Sequence, residues 1–477
     1  MDYIEILRDS RDEMLDKLGE LIAFESVAAP AVRTPDGEVY PFGKNIQDAY
    51  EYMLRLGESM GFETVNIDNY GGHIEFRDED SEGCFGVTCH LDVMPEGIGW
   101  DTPCFKLTEK DGTLYGRGVV DDKGPAVAAL YAMKAIKDAG MKPRMAVRLI
   151  LGLDEECGTS GIEYYLDRAG QPDMGFTPDS EFPLINGEMG AMIFDLCRKL
   201  KRAGKDGIRL TKLSGGTAPN VVPGECKAVI ASGDKKTYGR IKELAEAFSQ
   251  RTGHELTARK QGSSIAVTAL GRSVHGAYPE TGLNAVSVMM EFLGEIAFAC
   301  EELNDFIAFY NEHIGYDVNG RDCGIGLCDE PSGPLKFNVG ICEFTEDMAS
   351  ITVNVRVPVT HENDEVYAGL EKCLEGTGIG IVKKQSEAGI HLDTSHPMVG
   401  KLMEAYHEVT GDVESGPIVS PGGTYAKAIN NTLAFGPTFP GEEDSIHQPN
   451  ERVSLESYLK SAEIYARAIA KVCCTEE

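Results

Sequence analysis

Apolar residues recur near helical intervals at the start of the chain: Ile4, Leu7, Met14, Leu18 and Leu21, with charged residues between them. That spacing predicts one amphipathic surface helix. The pattern changes at 84–93 (CFGVTCHLDV) and 145–153 (MAVRLILGL), where short runs of β-branched and apolar residues predict buried strands. Between them, Lys123–Ala139 (KGPAVAALYAMKAIKDA) is Ala-rich, has a helical period and stops at Gly140. Strand, helix and strand at this spacing predict a βαβ unit in a parallel or mixed sheet. Ligands of such sheets sit beyond the carboxyl ends of the strands.

From about Glu188 to Glu387 the pattern becomes strand-like runs (AMIFDL, KAVIAS, SIAVTALG, SITVNVRVPV) separated by long helical stretches such as Asn284–Tyr310. From His396 onward the Ala-rich style returns, closing with an amphipathic helix over Leu455–Val472. A length of 477 residues also favours two domains. The predicted fold class is therefore α/β. Residues 1–187 and 388–477 would form a catalytic domain, a mixed, mostly parallel sheet flanked by helices. Residues 188–387 would form an inserted α+β lid domain contributing substrate-binding residues.

Composition changes this picture little, since 42% hydrophobic and 26% charged residues are ordinary for a globular protein. Charge changes it more. A net charge of −32 repels phosphate backbones and argues against a nucleic-acid partner. The N-terminal segment lacks the basic-then-apolar pattern of a signal peptide, and no run is apolar enough to span a membrane. The 13 scattered cysteines then read as reduced thiols of a cytoplasmic protein.

Acids and imidazoles gather at the predicted strand ends. In chain order they are His90 and Asp92, Asp121 and Asp122 (GRGVVDDKGP), Asp154, Glu155 and Glu156 (LGLDEECGTSG), Asp179 (FTPDSEFP) and His447 (EEDSIHQPNE). Singly each has a plain reading: a hydrogen-bonded His-x-Asp pair, a helix N-cap, solvated glutamates, a loop histidine. Together they would line one edge of one sheet, where uncompensated carboxylates repel and desolvate badly. Lys123 alone cannot balance them, whereas divalent cations can. Two imidazoles and several carboxylates without a Cys pair suit a hydrolytic dinuclear site better than a structural zinc site. Two metals roughly 3.5–4 Å apart need a carboxylate to bridge them.

The ordered set His90-x-Asp92, GRGVVDDKG, DEECGTSG, Asp179 and SIHQPNE resembles the zinc metallopeptidase family that includes aminoacylases, succinyl-diaminopimelate desuccinylase and carnosinases. Within that family it is most similar to the bacterial PepV-type dipeptidases, over essentially the whole chain. The resemblance implies that Asp121 bridges two metals, that His90 and Asp179 complete one site, and that Glu156 and His447 complete the other. It implies that Asp92 orients His90 and that Glu155 is the general base acting on a metal-bridged water. Asp122 stays open as the bridge, and so does an exchange of roles between Glu155 and Glu156. Asp154 reads as a supporting or loop residue.

In the inserted region, GRSVHGAYPETGLNA resembles the family's loop in which a histidine, here His275, stabilises the oxyanion. Asn220, Arg356, Gly422 and Gly423 match substrate-binding positions, Arg356 offering a planar fork for a carboxylate. Trp100 is assigned either to the pocket mouth or to packing, and Cys89 and Cys157 to buried apolar positions. The implied activity is hydrolysis of unmodified dipeptides, including β-alanyl and Xaa-His dipeptides. The implied cofactors are two divalent ions, zinc first, with manganese or cobalt compatible with the ligands. The insertion is long enough to supply the surface that shorter relatives gain by dimerising, so a monomer is expected. The alternatives are an N-acyl amino acid deacylase or desuccinylase on the same fold, and a catalytically inactive metal-binding relative.

Overall fold

The predicted strand at 84–93 is β1, Cys84–His90, and every residue in it is buried. It is followed by α1, Lys123–Asp138, and β2, Ala146–Gly152. The structure, a computed structural model, describes residues 2–202, 207–234 and 236–474. Two further strands complete the middle of the sheet, β3 (Met174–Thr177) and β4 (Thr432–Ala434). The order β4-β3-β1-β2 is parallel throughout. Antiparallel strands flank it: Gly71–Phe76 against β2, then Glu63–Ile67, and on the other side Ile185–Glu188 against β4. The sheet is therefore mixed, with its parallel pairs at the centre. Parallel strands are covered on both faces, which is why β1 and β2 read as continuous apolar runs without alternation.

By internal packing the chain forms two compact units. The first is Met1–Gly187, His391–Val419 and Gly423–Glu477, and the second is Glu188–Ile390 with Ser420–Gly422. In the first unit α1 is buried on all sides from Lys123 to Met133, packing against the N-terminal helices and the C-terminal helix Leu455–Ile469. A helix apolar all round belongs inside a core. Phe176 of β3 is fully buried, with its ring 5.9 Å from Phe85, 5.5 Å from Phe435 and 5.5 Å from Tyr465. Phe176→Ala should cost about 3–5 kcal/mol, the usual range for emptying an aromatic site in a core. Urea unfolding followed by tyrosine fluorescence should show the earliest transition at lower urea; an unchanged midpoint would contradict this packing account.

The second unit holds an eight-stranded sheet that is antiparallel at every step. Its order is Leu256–Gln261, Ser264–Leu270, Glu225–Ser232, Ile208–Gly215, Lys336–Phe344, Met348–Val357, Gly190–Lys199 and Gly380–Glu387. Four helices, Lys236–Thr252, Ala285–Leu293, Glu301–His313 and Asn363–Cys373, share one apolar core with it.

Two expectations are corrected. The N-terminal helix is two helices, Tyr3–Asp9 and Arg11–Ile22. Ser10 separates them with ψ 1°, its hydroxyl donating to the Ile6 carbonyl at 2.8 Å. The stretch Asn284–Tyr310 is likewise two helices, parted by residues 294–300. There Asn304 binds the Phe298 main chain in both directions, at 3.0 and 2.8 Å, and Ala299 donates to Ile208 at 2.8 Å. These side-chain and strand contacts outweigh helical periodicity. Among the described residues no helix is long and apolar enough to cross a membrane.

Candidate active site

The carboxyl ends of β1, β2 and β3 deliver the candidate groups to one place in the first unit. His90 is the last residue of β1, Glu155 and Glu156 follow β2, and Asp179 follows β3. Asp121 lies just before α1, and its peptide bond to Asp122 is cis. His447 arrives from a loop late in the chain with a left-handed backbone, φ 61°, uncommon for a residue with a Cβ. Room for the cluster is made at the end of β2. A Cβ on Gly152 would fall 2.2 Å from the Tyr425 ring, and that ring stands edge-on to His90 at 6.4 Å.

Asp121 is central. Its Oδ1 lies 2.8 Å from His90 Nε2 and its Oδ2 lies 2.9 Å from His447 Nε2. Asp179 lies 3.8 Å from the same His90 nitrogen, and Glu156 lies 2.9 Å from the same His447 nitrogen. Two groups able to hold a metal ion result, His90–Asp121–Asp179 and Asp121–Glu156–His447, each with its ligand atoms within 4.8 Å of one another. Asp121 belongs to both. Asp122 turns elsewhere, accepting the His90 amide at 3.1 Å, and it does not cap α1 with its side chain.

Asp92 acts on both flanks. Its main-chain oxygen lies 2.9 Å from His90 Nδ1, while its carboxylate is 3.4 Å away. The carboxylate accepts the amides of Glu155 and Glu156 at 3.2 and 3.0 Å. The carbonyl is thus the nearer group that orients His90, and the carboxylate fixes the turn carrying both glutamates. Asp154 accepts from the Ser160 hydroxyl, the Gly161 amide and the Tyr425 hydroxyl, securing the turn after β2.

The electrostatics ask for positive charge. Burial opposes ionising His90, but the Asp121, Asp179 and Asp92 carboxylates outweigh it and raise its pKa well above the ordinary value. Asp121 and Glu156 raise His447 to about 10. Burial lifts Asp179 to about 6 and pushes Glu155 well up, with Asp179 adding to the shift at Glu155. Asp122 is driven up by burial and by Asp179. Asp121 is held low because His447 and His90 outweigh its burial. The Lys123 ammonium is brought down to about 7 by burial, and its Nζ donates to the carbonyls of Leu21 and Phe24 at 3.3 and 2.7 Å. Oxygen and imidazole donors crowded together, with His90 and Asp121 buried and His447 about half exposed, are a donor set fitted to divalent cations.

Asn220, His275 and Arg356 belong to the second unit. The Gly276 amide donates to the Asn220 carbonyl at 2.7 Å, and a Cβ on Gly276 would lie 2.9 Å from that carbonyl, so glycine permits the approach. Partial desolvation and the Arg356 charge lower the His275 imidazole. Arg356 has a buried Nε without a hydrogen-bond partner. Gly422 donates to Ser420 Oγ at 2.9 Å, and neither Gly422 nor Gly423 has positive φ; a Cβ at either would meet only side-chain ends. Trp100 donates to the Glu96 carbonyl at 2.6 Å and carries the Arg117 guanidinium 5.3 Å above its ring, which is a packing role. Cys89 is buried, but Cys157 is exposed, because it stands in the open turn after Glu156.

Three contributors escaped the sequence reading. Tyr425 lies in the SPGGTYAK stretch, where the glycines drew notice. Arg117 and Glu451 form a buried ion pair at 2.9 Å. Burial first and the Asp121 carboxylate next raise Glu451 to about 7. A glutamate in the acid-rich run EEDSIHQPNE reads as solvated surface, and only its nearness to His447 could have marked it.

A family model described as "Peptidase family M20/M25/M40" matches residues 86–471. The chain is 33% identical over 474 residues to "Putative dipeptidase YtjP" of Bacillus subtilis (strain 168), covering 98% of each. It is 31% identical over 479 residues to the Beta-Ala-Xaa dipeptidase of Lactobacillus delbrueckii subsp. lactis, covering 100% of this chain and 99% of that one. Its fold is similar to that of the solved aminoacylhistidine dipeptidase from Vibrio alginolyticus, with TM-score 0.59, 15% identity and 97% of each chain covered.

Proposed function

This chain belongs to peptidase family M20/M25/M40 and is a metal-dependent hydrolase, and on that premise we propose that it cleaves unmodified dipeptides, β-alanyl and Xaa-His dipeptides among them, with two divalent ions. The observation that carries the reading is the placement of two imidazoles on the two oxygens of one carboxylate, at 2.8 and 2.9 Å. His90, Asp121 and Asp179 would hold one ion, and Asp121, Glu156 and His447 the other. Zinc suits these ligands, and manganese and cobalt are accepted by the same donors.

When bound, the two ions supply Lewis acidity that acidifies a water and polarises the scissile carbonyl. Glu155 takes the proton of the attacking water on its carboxylate and passes it to the departing amine. Its backbone is held for this by Asp92, whose carboxylate accepts the Glu155 amide. Asp92 also fixes His90 through its carbonyl, which keeps a proton on Nδ1 and leaves Nε2 free as a ligand atom. His275 is assigned to the oxyanion, Arg356 and Asn220 to the substrate carboxylate and its neighbourhood, and Gly422 and Gly423 to a loop along the substrate. The partnerless buried Nε of Arg356 supports a role in taking a carboxylate. The inserted region is read as a lid and the protein as a cytoplasmic monomer.

The test is a substrate panel on zinc-loaded protein. Free β-alanyl and Xaa-His dipeptides should be cleaved at least about a hundredfold better, by kcat/KM, than their N-acetylated forms, since polar groups that pair with a free amine are left unpaired by the acetylated form. Preference for an N-acylated amino acid would replace this reading with a deacylase, and no hydrolysis of either would leave a metal-binding relative.

A further inference from the structure

We infer that Glu451 is a positioning residue that clamps the loop carrying Asp121 to the loop carrying His447, and so sets the spacing between the shared ligand and the second imidazole. The inference rests on the reading that Asp121 and His447 are metal ligands. Glu451 is 0% exposed, yet its carboxylate is fully used. Oε1 accepts the amides of Gly118 and Val120 at 3.0 Å each and that of Asp121 at 3.3 Å. Oε2 accepts the Gly118 amide at 3.1 Å and Arg117 Nη1 at 2.9 Å. Its main-chain carbonyl accepts the Gly116 amide at 3.2 Å. Arg117, Gly118, Val120 and Asp121 therefore gather on one side chain four residues beyond His447.

The same clamp reaches a third segment. Arg117 Nη2 donates to the Pro95 carbonyl at 3.2 Å, and Asn450, beside Glu451, binds the Asp101 amide at 2.7 Å and the Gly99 carbonyl at 3.2 Å. Stability alone is a poor reason for this arrangement, because a buried ion pair is commonly no better than a well-packed apolar pair. What an apolar pair cannot do is accept several converging amides, including that of Asp121 itself. A carboxylate in a ring of amides fixes a loop to a few tenths of an ångström, the precision that a shared metal ligand needs.

Cobalt(II) titration of the full-length metal-free protein tests the clamp, with visible absorption reporting ligand geometry and equilibrium dialysis reporting stoichiometry. Wild type should take up two ions. Glu451→Gln should bind them at least tenfold more weakly and with an altered visible spectrum. The double variant Arg117→Met/Glu451→Leu leaves no orphan buried charge but strands the Gly118, Val120 and Asp121 amides; it should fold with lower thermal stability than wild type and without wild-type cobalt affinity or spectrum. It also carries the test if Glu451→Gln fails to fold. Wild-type affinity and spectrum in either folded variant would overturn the clamp while leaving the metal reading intact. No cobalt uptake by wild type would instead overturn the metal reading, and the clamp with it.

Discussion

Replacing Glu155 by alanine should lower kcat by about 10²–10⁴-fold, the range that a positioned general base contributes, while two divalent ions per chain remain bound. The two halves of this result come from different geometry. Glu155 stands in the same turn as Glu156 but lies outside both candidate ligand groups. Its loss removes a proton acceptor and leaves the donors of both ions in place. Asp92 would still hold the amide of residue 155, since that bond is to the main chain. Initial-rate kinetics on a β-alanyl dipeptide, with elemental analysis of the same preparation, check both halves. Undiminished kcat would exclude Glu155 as the base. Loss of metal in this variant, with metal kept in Glu156→Ala, would exchange the two roles.

Asp121→Ala should act on the other half of the chemistry. The shared carboxylate is the one residue common to both groups, so its removal should empty or scramble both positions and bring turnover to about one per cent of wild type or less, since both Lewis-acid functions depend on it. Loss of one ligand peculiar to a single group, as in Asp179→Ala, should leave the other position occupied. Elemental analysis after dialysis separates these cases, and chelation of wild type followed by zinc, manganese or cobalt restores the reference state. Two tightly held ions in Asp121→Ala would remove Asp121 from its central place and direct attention to Asp122.

Much of the first unit was readable because its signals are redundant. The β1–α1–β2 unit combines continuous apolar strands, an Ala-rich helix and a terminating glycine, and the structure returns the helix within one residue of the predicted end. Where one signal stood alone, other contacts overruled it, a local hydroxyl bond at Ser10 and side-chain and strand contacts at residues 294–300. The site divided in the same way. Residues at strand ends could be ordered from chain position, because the sheet edge does the gathering. What chain position could not convey was which atom does the work. Asp92 orients His90 through its carbonyl and spends its carboxylate on the next turn. Glu451 was hidden among acids that share its composition but not its burial. Cys157, expected inside, is outside because the turn that presents Glu156 bends it away from the core.

The separation of His90 from His447 along the chain bears on how the protein is made. A ribosome releases the first ligand group, complete at Asp179, long before the residue that finishes the second has been synthesised. On the proposed reading, hydrolytic competence waits for the last segment to fold back, and a polypeptide interrupted before that point should be inert.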